Sequence, residues 1–173
     1  MSFDLQPTLE NEWVHLSPLT RGDYDALFQV AADPAIWEQH PVKNRSTEAG
    51  FNRFFAEALA SGGTLVVREK SQGLVIGSSR FRLLDKAPQA VEIGWSFLAR
   101  AYWGGQYNRA VKHLMLKHAL SQKPEVVFFI DPLNIRSQKA VMKIGGKQLS
   151  QEMADAYLEA GRKDLVFLID DIS

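Results

Sequence analysis

The stretch Glu92-Ile93-Gly94-Trp95-Ser96-Phe97-Leu98-Ala99-Arg100-Ala101-Tyr102-Trp103-Gly104-Gly105-Gln106-Tyr107-Asn108-Arg109 decides how the rest of the chain reads. Its first half has the apolar alternation of a strand. Its second half passes through two glycines into a helical pattern carried by Tyr107, Val111, Leu114, Met115 and Ala119. Glycine permits dihedrals that turn successive backbone N–H groups the same way. A helix start adds N–H groups without intrahelical partners and the positive end of its dipole. Such a loop suits an anion, a pyrophosphate in particular. Gly104-Gly105 is equally readable as a plain tight turn. Two other nucleotide-binding patterns are excluded: there is no Walker sequence ending in Gly-Lys-Ser/Thr and no G-x-G-x-x-G in a β-α-β unit.

Upstream, Trp13 to Leu19 reads as a short strand, and Thr20 with Asp23 suits a helix start of the capping-box type. Tyr24, Leu27, Phe28 and Ala31 follow at helical spacing, and Asp33-Pro34 ends that helix, because proline disfavours a helical residue before it. After a loop from Ile36 to Pro41, Ser46 is the expected cap of a second helix. That helix carries Phe51, Phe54, Phe55, Ala58 and Leu59 and stops near Gly62-Gly63. Strand-like runs cover 64–69, 74–84 and 90–98, separated by turn residues at 71–73 and 85–88. Downstream come a strand at 126–130, a helix from about Asn134 to Ile144, and strands near 147–151 and 165–170. The expected class is α+β: a mixed, mostly antiparallel sheet of about seven strands with four helices, in one domain over residues 1–173.

The 173 residues are 46% hydrophobic and 23% charged, the balance of a soluble chain with a full core. Twenty basic and twenty acidic residues cancel, which removes any general attraction to nucleic acid or an anionic membrane. With no cysteine, disulfides, thiolate nucleophiles and cysteine-bound zinc are excluded, and the four histidines form no H-x-x-x-H pair, so no metal is expected. No basic segment followed by an apolar run opens the chain, and no apolar run is long enough to span a bilayer. The expected location is the cytoplasm.

The run Tyr102-Trp103-Gly104-Gly105-Gln106-Tyr107-Asn108-Arg109 resembles the acetyl-CoA pyrophosphate loop of the GCN5-related N-acetyltransferases (GNAT), in particular the branch of ribosomal-protein N-terminal acetyltransferases. A second stretch, from Asp131-Pro132-Leu133-Asn134 through Ser137 to Lys143-Ile144-Gly145-Gly146, is similar to that family's Asn-x-x-Ser helix. Gln106 stands where the motif has a second glycine, Asn108 where it has a small residue, and Gly146 where it has Phe. The resemblance implies a sheet splayed at the cofactor site, acetyl-CoA as acyl donor, an amine acceptor (a protein N-terminus, a lysine or a small molecule), and possible pairing of two copies.

It also implies roles. Trp103, Gly104, Gly105, Gln106, Tyr107, Asn108 and Arg109 would hold the pyrophosphate, and the backbone of Phe97, Leu98 and Ala99 would pair with the pantetheine arm. Asn134 would meet the pantetheine and Ser137 the sulfur or a phosphate; equally, Asn134 caps the helix and Ser137 fills a small core position. Arg109, Lys139 and Lys143 could reach the 3′-phosphate or form a solvated basic face. Trp37, His40, Arg80 and Arg82 would line the acceptor side, and Asp155 and Glu159 could meet a cationic acceptor.

For the base, Glu92 is the first choice. Strand alternation places it with Gly94 and Ser96, opposite Val91, Ile93, Trp95 and Phe97, and burial there would raise its pKa. The competing reading is a solvent-facing glutamate or one paired with Arg80 or Arg82. The family's usual acid, a Tyr after the second motif helix, is missing from Gly146-Lys147-Gln148-Leu149, and Tyr157 is the nearest later candidate.

Overall fold

The structure, a computed structural model, describes residues 2–172. Its strands are Leu9–Glu10 (β1), Val14–Pro18 (β2), Thr64–Glu69 (β3), Val75–Leu83 (β4), Ala90–Leu98 (β5), Glu125–Ile130 (β6), Lys147–Gln148 (β7) and Leu165–Ile169 (β8). They form one sheet in the order β1-β2-β3-β4-β5-β6-β8-β7. Its helices are Tyr24–Ala31 (α1), Glu48–Ser61 (α2), Tyr107–Leu120 (α3), Ile135–Lys143 (α4) and Gln151–Ala154 (α5). The α+β class is as the sequence predicts. The two elements beyond that reading, β1 and α5, have two and four residues and are too short to leave a periodic signal.

Local chemistry sets the helix ends. Thr20 and Asp23 form the expected reciprocal box, with the Thr20 N–H donating to Asp23 Oδ2 at 2.9 Å. The cap of α2 is Thr47, not Ser46: Ser46 is still inside a 3-10 turn, whereas Thr47 is extended and its Oγ1 accepts the Gly50 N–H at 3.1 Å.

The sheet is covered on both faces. Phe81, Ile93, Met115, Phe128, Val141 and Phe167 join α3 and α4 to one face. Leu27, Trp37, Phe51, Phe54 and Phe97 join α1 and α2 to the other. A smaller cluster around Leu84, Leu158 and Val166 seats α5 at the far end.

Two irregularities of β5 make the site. Among the described residues its only parallel neighbour is β6, reached through α3 because a parallel pair needs a long crossover. The two strands pair only at Ala90–Glu125, Val91–Val126 and Glu92–Val127, and beyond Glu92 they diverge. On its other edge, β5 pairs Arg80 with Gly94 and Ser78 with Phe97, so Ser79 alone faces both Trp95 and Ser96. This is a β-bulge, and Trp95 sits in it at φ 52°. The extra residue corrects the expected alternation. Val91 and Ile93 face α3, but Trp95 and Phe97 face α1 and α2, and Ser96 is turned back toward α3.

Candidate active site

After β5 the chain makes a 3-10 turn at Arg100–Tyr102 and reaches Gly104 at φ 71°, a conformation costly for any residue with a Cβ. The Trp103 indole N–H donates to the Leu98 carbonyl at 2.8 Å and ties the loop to the strand end. The first bond of α3 runs from the Ala110 N–H to the Gln106 carbonyl, 2.8 Å. Among the described residues, none of the backbone N–H groups from Gly104 to Arg109 has an acceptor in the chain. A Cβ built on Gly104 or Gly105 would meet nothing within 4 Å, so the space beside the two glycines is open. Gln106 makes no side-chain cap and Arg109 is exposed; neither closes the loop.

The divergence of β5 from β6 opens a cleft of about 340 Å³ beside this loop. Its walls are the β5 edge from Ile93 to Ser96, the end of β6 from Phe128 to Asp131, Asn108 and Lys112 of α3, and Asn134, Ser137 and Val141 at α4. Trp37, His40 and Arg45 close the other end. Asn134 takes both of its expected places at once: it faces the cleft, and its Oδ1 accepts the Ser137 N–H at 3.3 Å as the cap of α4. Gln39 Oε1 accepts the Arg136 N–H at 2.9 Å and draws the first helical loop onto α4.

Glu92 lies at the cleft, 3% exposed, with Oε1 2.6 Å from Arg82 Nε. Burial pushes its carboxyl above the ordinary range, against the pull of Arg82. Arg82 is also held by Glu159, at 2.9 Å. A Cβ on Gly94 would lie 3.1 Å from Glu92 Oε2, so glycine is what leaves the carboxylate its space.

Across the bulge, Lys112 Nζ donates to Ser96 Oγ at 2.6 Å, and Ser96 Oγ is 2.7 Å from Ser79 Oγ. Burial of this lysine brings its ammonium down to about 8. His40 takes the Val42 N–H on Nδ1 at 2.9 Å, and burial, with Arg45 beside it, lowers its pKa to about 4, so it is neutral at physiological pH.

Not every expected residue reaches the cleft. Arg80 is buried behind Trp95, its guanidinium 4.2 Å from that ring and its Nε bonded to Thr64 Oγ1 at 3.1 Å; burial lowers it to about 10. Arg82 faces Glu92 and Glu159 rather than open space. Phe97, Leu98 and Ala99 lie outside the lining; the Leu98 carbonyl is used by Trp103, and the Ala99 N–H by Ile76, at 2.8 Å. Lys139 and Lys143 are exposed on α4. Asp155 accepts from Gln151, and the Tyr157 hydroxyl donates to Glu125 at 2.8 Å beside the far cluster. Arg45 and Lys112 went unread in the sequence. The second had a signal: it interrupts an apolar stripe of Met115, Leu116 and Ala119 on α3, one turn from Asn108.

Residues 14–147 match the family described as the Acetyltransferase (GNAT) domain. Among solved structures, a GCN5-related N-acetyltransferase from Brucella melitensis superposes with a TM-score of 0.76 at 18% identity, over 96% of this chain and 79% of that one. An acetyltransferase from Agrobacterium tumefaciens gives 0.69 at 22%, over 95% of each chain. Mycobacterium smegmatis RimJ, solved in complex with CoA-disulfide, gives 0.66 at 18%, over 95% of this chain and 86% of that one. At these identities the likeness establishes the fold, and the family match establishes membership.

Proposed function

The chain belongs to the GNAT acetyltransferase family, and from that premise we propose that it transfers the acetyl group of acetyl-CoA to a primary amine by direct attack in a ternary complex. The acceptor is a protein N-terminus, a lysine or a small-molecule amine. The observation that carries this reading is the row of unpartnered N–H groups from Gly104 to Arg109 at the mouth of the cleft between β5 and β6. The open space over Gly104 and Gly105 fits a pyrophosphate there.

Acetyl-CoA supplies the activated acyl group as a thioester. The rest is done by the chain. The β5 edge from Ile93 to Ser96, freed where pairing with β6 stops, is the place for the pantetheine arm, and Asn134 and Ser137 bound it from α4. This moves the arm's expected strand contact a few residues before Phe97–Ala99. Trp37 and His40 flank the acceptor end. Glu92 accepts a proton from the incoming ammonium, a role its raised pKa favours. No helix among the described residues is long and apolar enough to cross a membrane, and we place the activity in the cytoplasm.

A second reading is an acyl-CoA-binding module without turnover; its support is that Arg82 already occupies the Glu92 carboxylate. Calorimetric titration with acetyl-CoA and coenzyme A, followed by an amine screen with Glu92→Gln as control, separates the two. Tight binding with turnover on any amine establishes the transferase, binding without turnover leaves the module, and no binding rejects both.

A further inference from the structure

We propose that Lys112 is the acid of this site, giving a proton from its ammonium to the thiolate sulfur that departs from the acyl group. The assignment rests on the acetyl-CoA reading of the cleft. None of the four tyrosines lines that cleft. The Tyr102 and Tyr107 rings pack on each other, centroids 4.7 Å apart, and Tyr107 also packs on Trp13; Tyr24 bonds to Asn52, and Tyr157 bonds to Glu125. The acid must therefore be another residue.

The ionisable groups that line the cleft are His40, Arg45, Glu92, Lys112, Asp131, Arg162 and Asp164, among the described residues. Guanidinium groups do not release protons near neutrality, and Arg162 is paired with Asp164 at 2.8 Å. Glu92 is held by Arg82, and His40 is already neutral. Lys112 is the one cation left that can exchange a proton near neutral pH.

Its geometry suits the task. Lys112 is 6% exposed, yet its Nζ lies directly under Ser96, whose side is open to the cleft. The neighbouring groups on β4 and β5 are hydroxyls, Ser79 and Ser96. No carboxylate stands within ion-pair distance of it, among the described residues. A buried ammonium without an anion is costly, and a negative charge that forms in the cleft during the reaction relieves that cost. The β5 bulge makes the contact. Were β5 to alternate regularly through Trp95, Ser96 would share the face of Gly94 on the α1 and α2 side and leave Lys112 without a partner.

The protons balance. As the N–C bond forms, the C–S bond breaks and its electron pair goes to sulfur. Sulfur takes a proton from Nζ. Of the two protons the acceptor ammonium loses, one restores Lys112 and the other leaves to solvent.

Coenzyme A itself is the probe, with the ultraviolet absorbance of its thiolate followed against pH while bound. An apolar cleft would raise the thiol's pKa; a facing ammonium should lower it by about one unit or more relative to free coenzyme A. The expected result is that lowering in the wild-type protein and its loss in Lys112→Met. A bound thiol that ionises at or above the free value overturns the assignment from the wild type alone, whether or not the variant folds. A lowering that persists in Lys112→Met overturns it as well. Failure of the wild-type protein to bind coenzyme A removes the cofactor reading and this inference together.

Discussion

A carboxylate buried in a sheet and bonded to a guanidinium feels two opposing pulls, and at Glu92 the loss of water outweighs Arg82. A base must be ionised to act, so activity should be low below the raised pKa and climb as pH passes through it. Arg82→Met deletes the pull that opposes burial, so it should move the acid limb of the kcat/KM profile to higher pH. Glu92→Gln should erase that limb and cut turnover about 10²–10⁴-fold. An acid limb that stays in place in Arg82→Met would discard Glu92 as the base. His40 makes the contrasting case: a pKa near 4 means that its ring should show no titration between about pH 5 and 8, in NMR or in the rate profile. The sequence allowed either Arg80 or Arg82 as the partner of Glu92. Only the register decides, because both lie on the same face of β4, and it sets Arg82 directly across from Glu92 while Arg80 meets Gly94.

At the scale of the element, periodicity made nearly every helix and strand legible, because each buries one face against the sheet or the helices on it. What periodicity could not show was the one residue of β5 that breaks it. Val91 to Phe97 alternates without interruption in the sequence, and nothing local to Trp95 announces a positive φ; the bulge follows from the pairing with β4. The same blindness hid the partner of Lys112: the lysine's break in the apolar stripe of α3 is legible, but the hydroxyl that meets it faces it only because of that bulge. α4 was readable to within a residue, and its cap gives a clean test of a double role. Asn134→Ala should lower stability by about 1 kcal/mol through loss of the cap, read in thermal melts without ligand. Asn134→Asp keeps a capping oxygen and should melt like the wild type, yet bind acetyl-CoA more weakly because the amide donor is gone. If both variants bind acetyl-CoA as the wild type does, Asn134 is a cap only. In the loop, Gly104→Ala forces a Cβ into a left-handed conformation and should cost about 1–2 kcal/mol before any ligand is added.

For the molecule as a whole, the sheet is two sets of strands joined along a short seam. β1 to β5 lie on one side, β6, β8 and β7 on the other, and three residue pairs of β5 with β6 connect them before the cleft opens. α3 packs across the seam, with Met115 and Leu116 in the core shared by both sides. Apart from the two-residue edge strands β1 and β7, the seam is the least paired part of the sheet, so within the body of the sheet it is where local opening should be easiest. A ligand lying in the cleft with its phosphates on Gly104 to Arg109 would touch β5 on one side and β6 and α4 on the other. It would supply across the gap what the missing strand pairs do not. Coenzyme A at about 100 times its Kd should then stabilise the fold by about 2.7 kcal/mol, raising Tm by roughly 5–10 °C for a chain of this size. Hydrogen exchange gives the sharper reading of the same event. Slowing should concentrate at the loop amides, at Ile93 to Ser96 and at the end of β6, and leave α2 and the β2–β3 pair almost unchanged. Protection spread evenly over all strands would mean that the ligand stabilises the fold globally without bridging the seam, and protection at the loop alone would mean that the pantetheine arm does not enter the cleft.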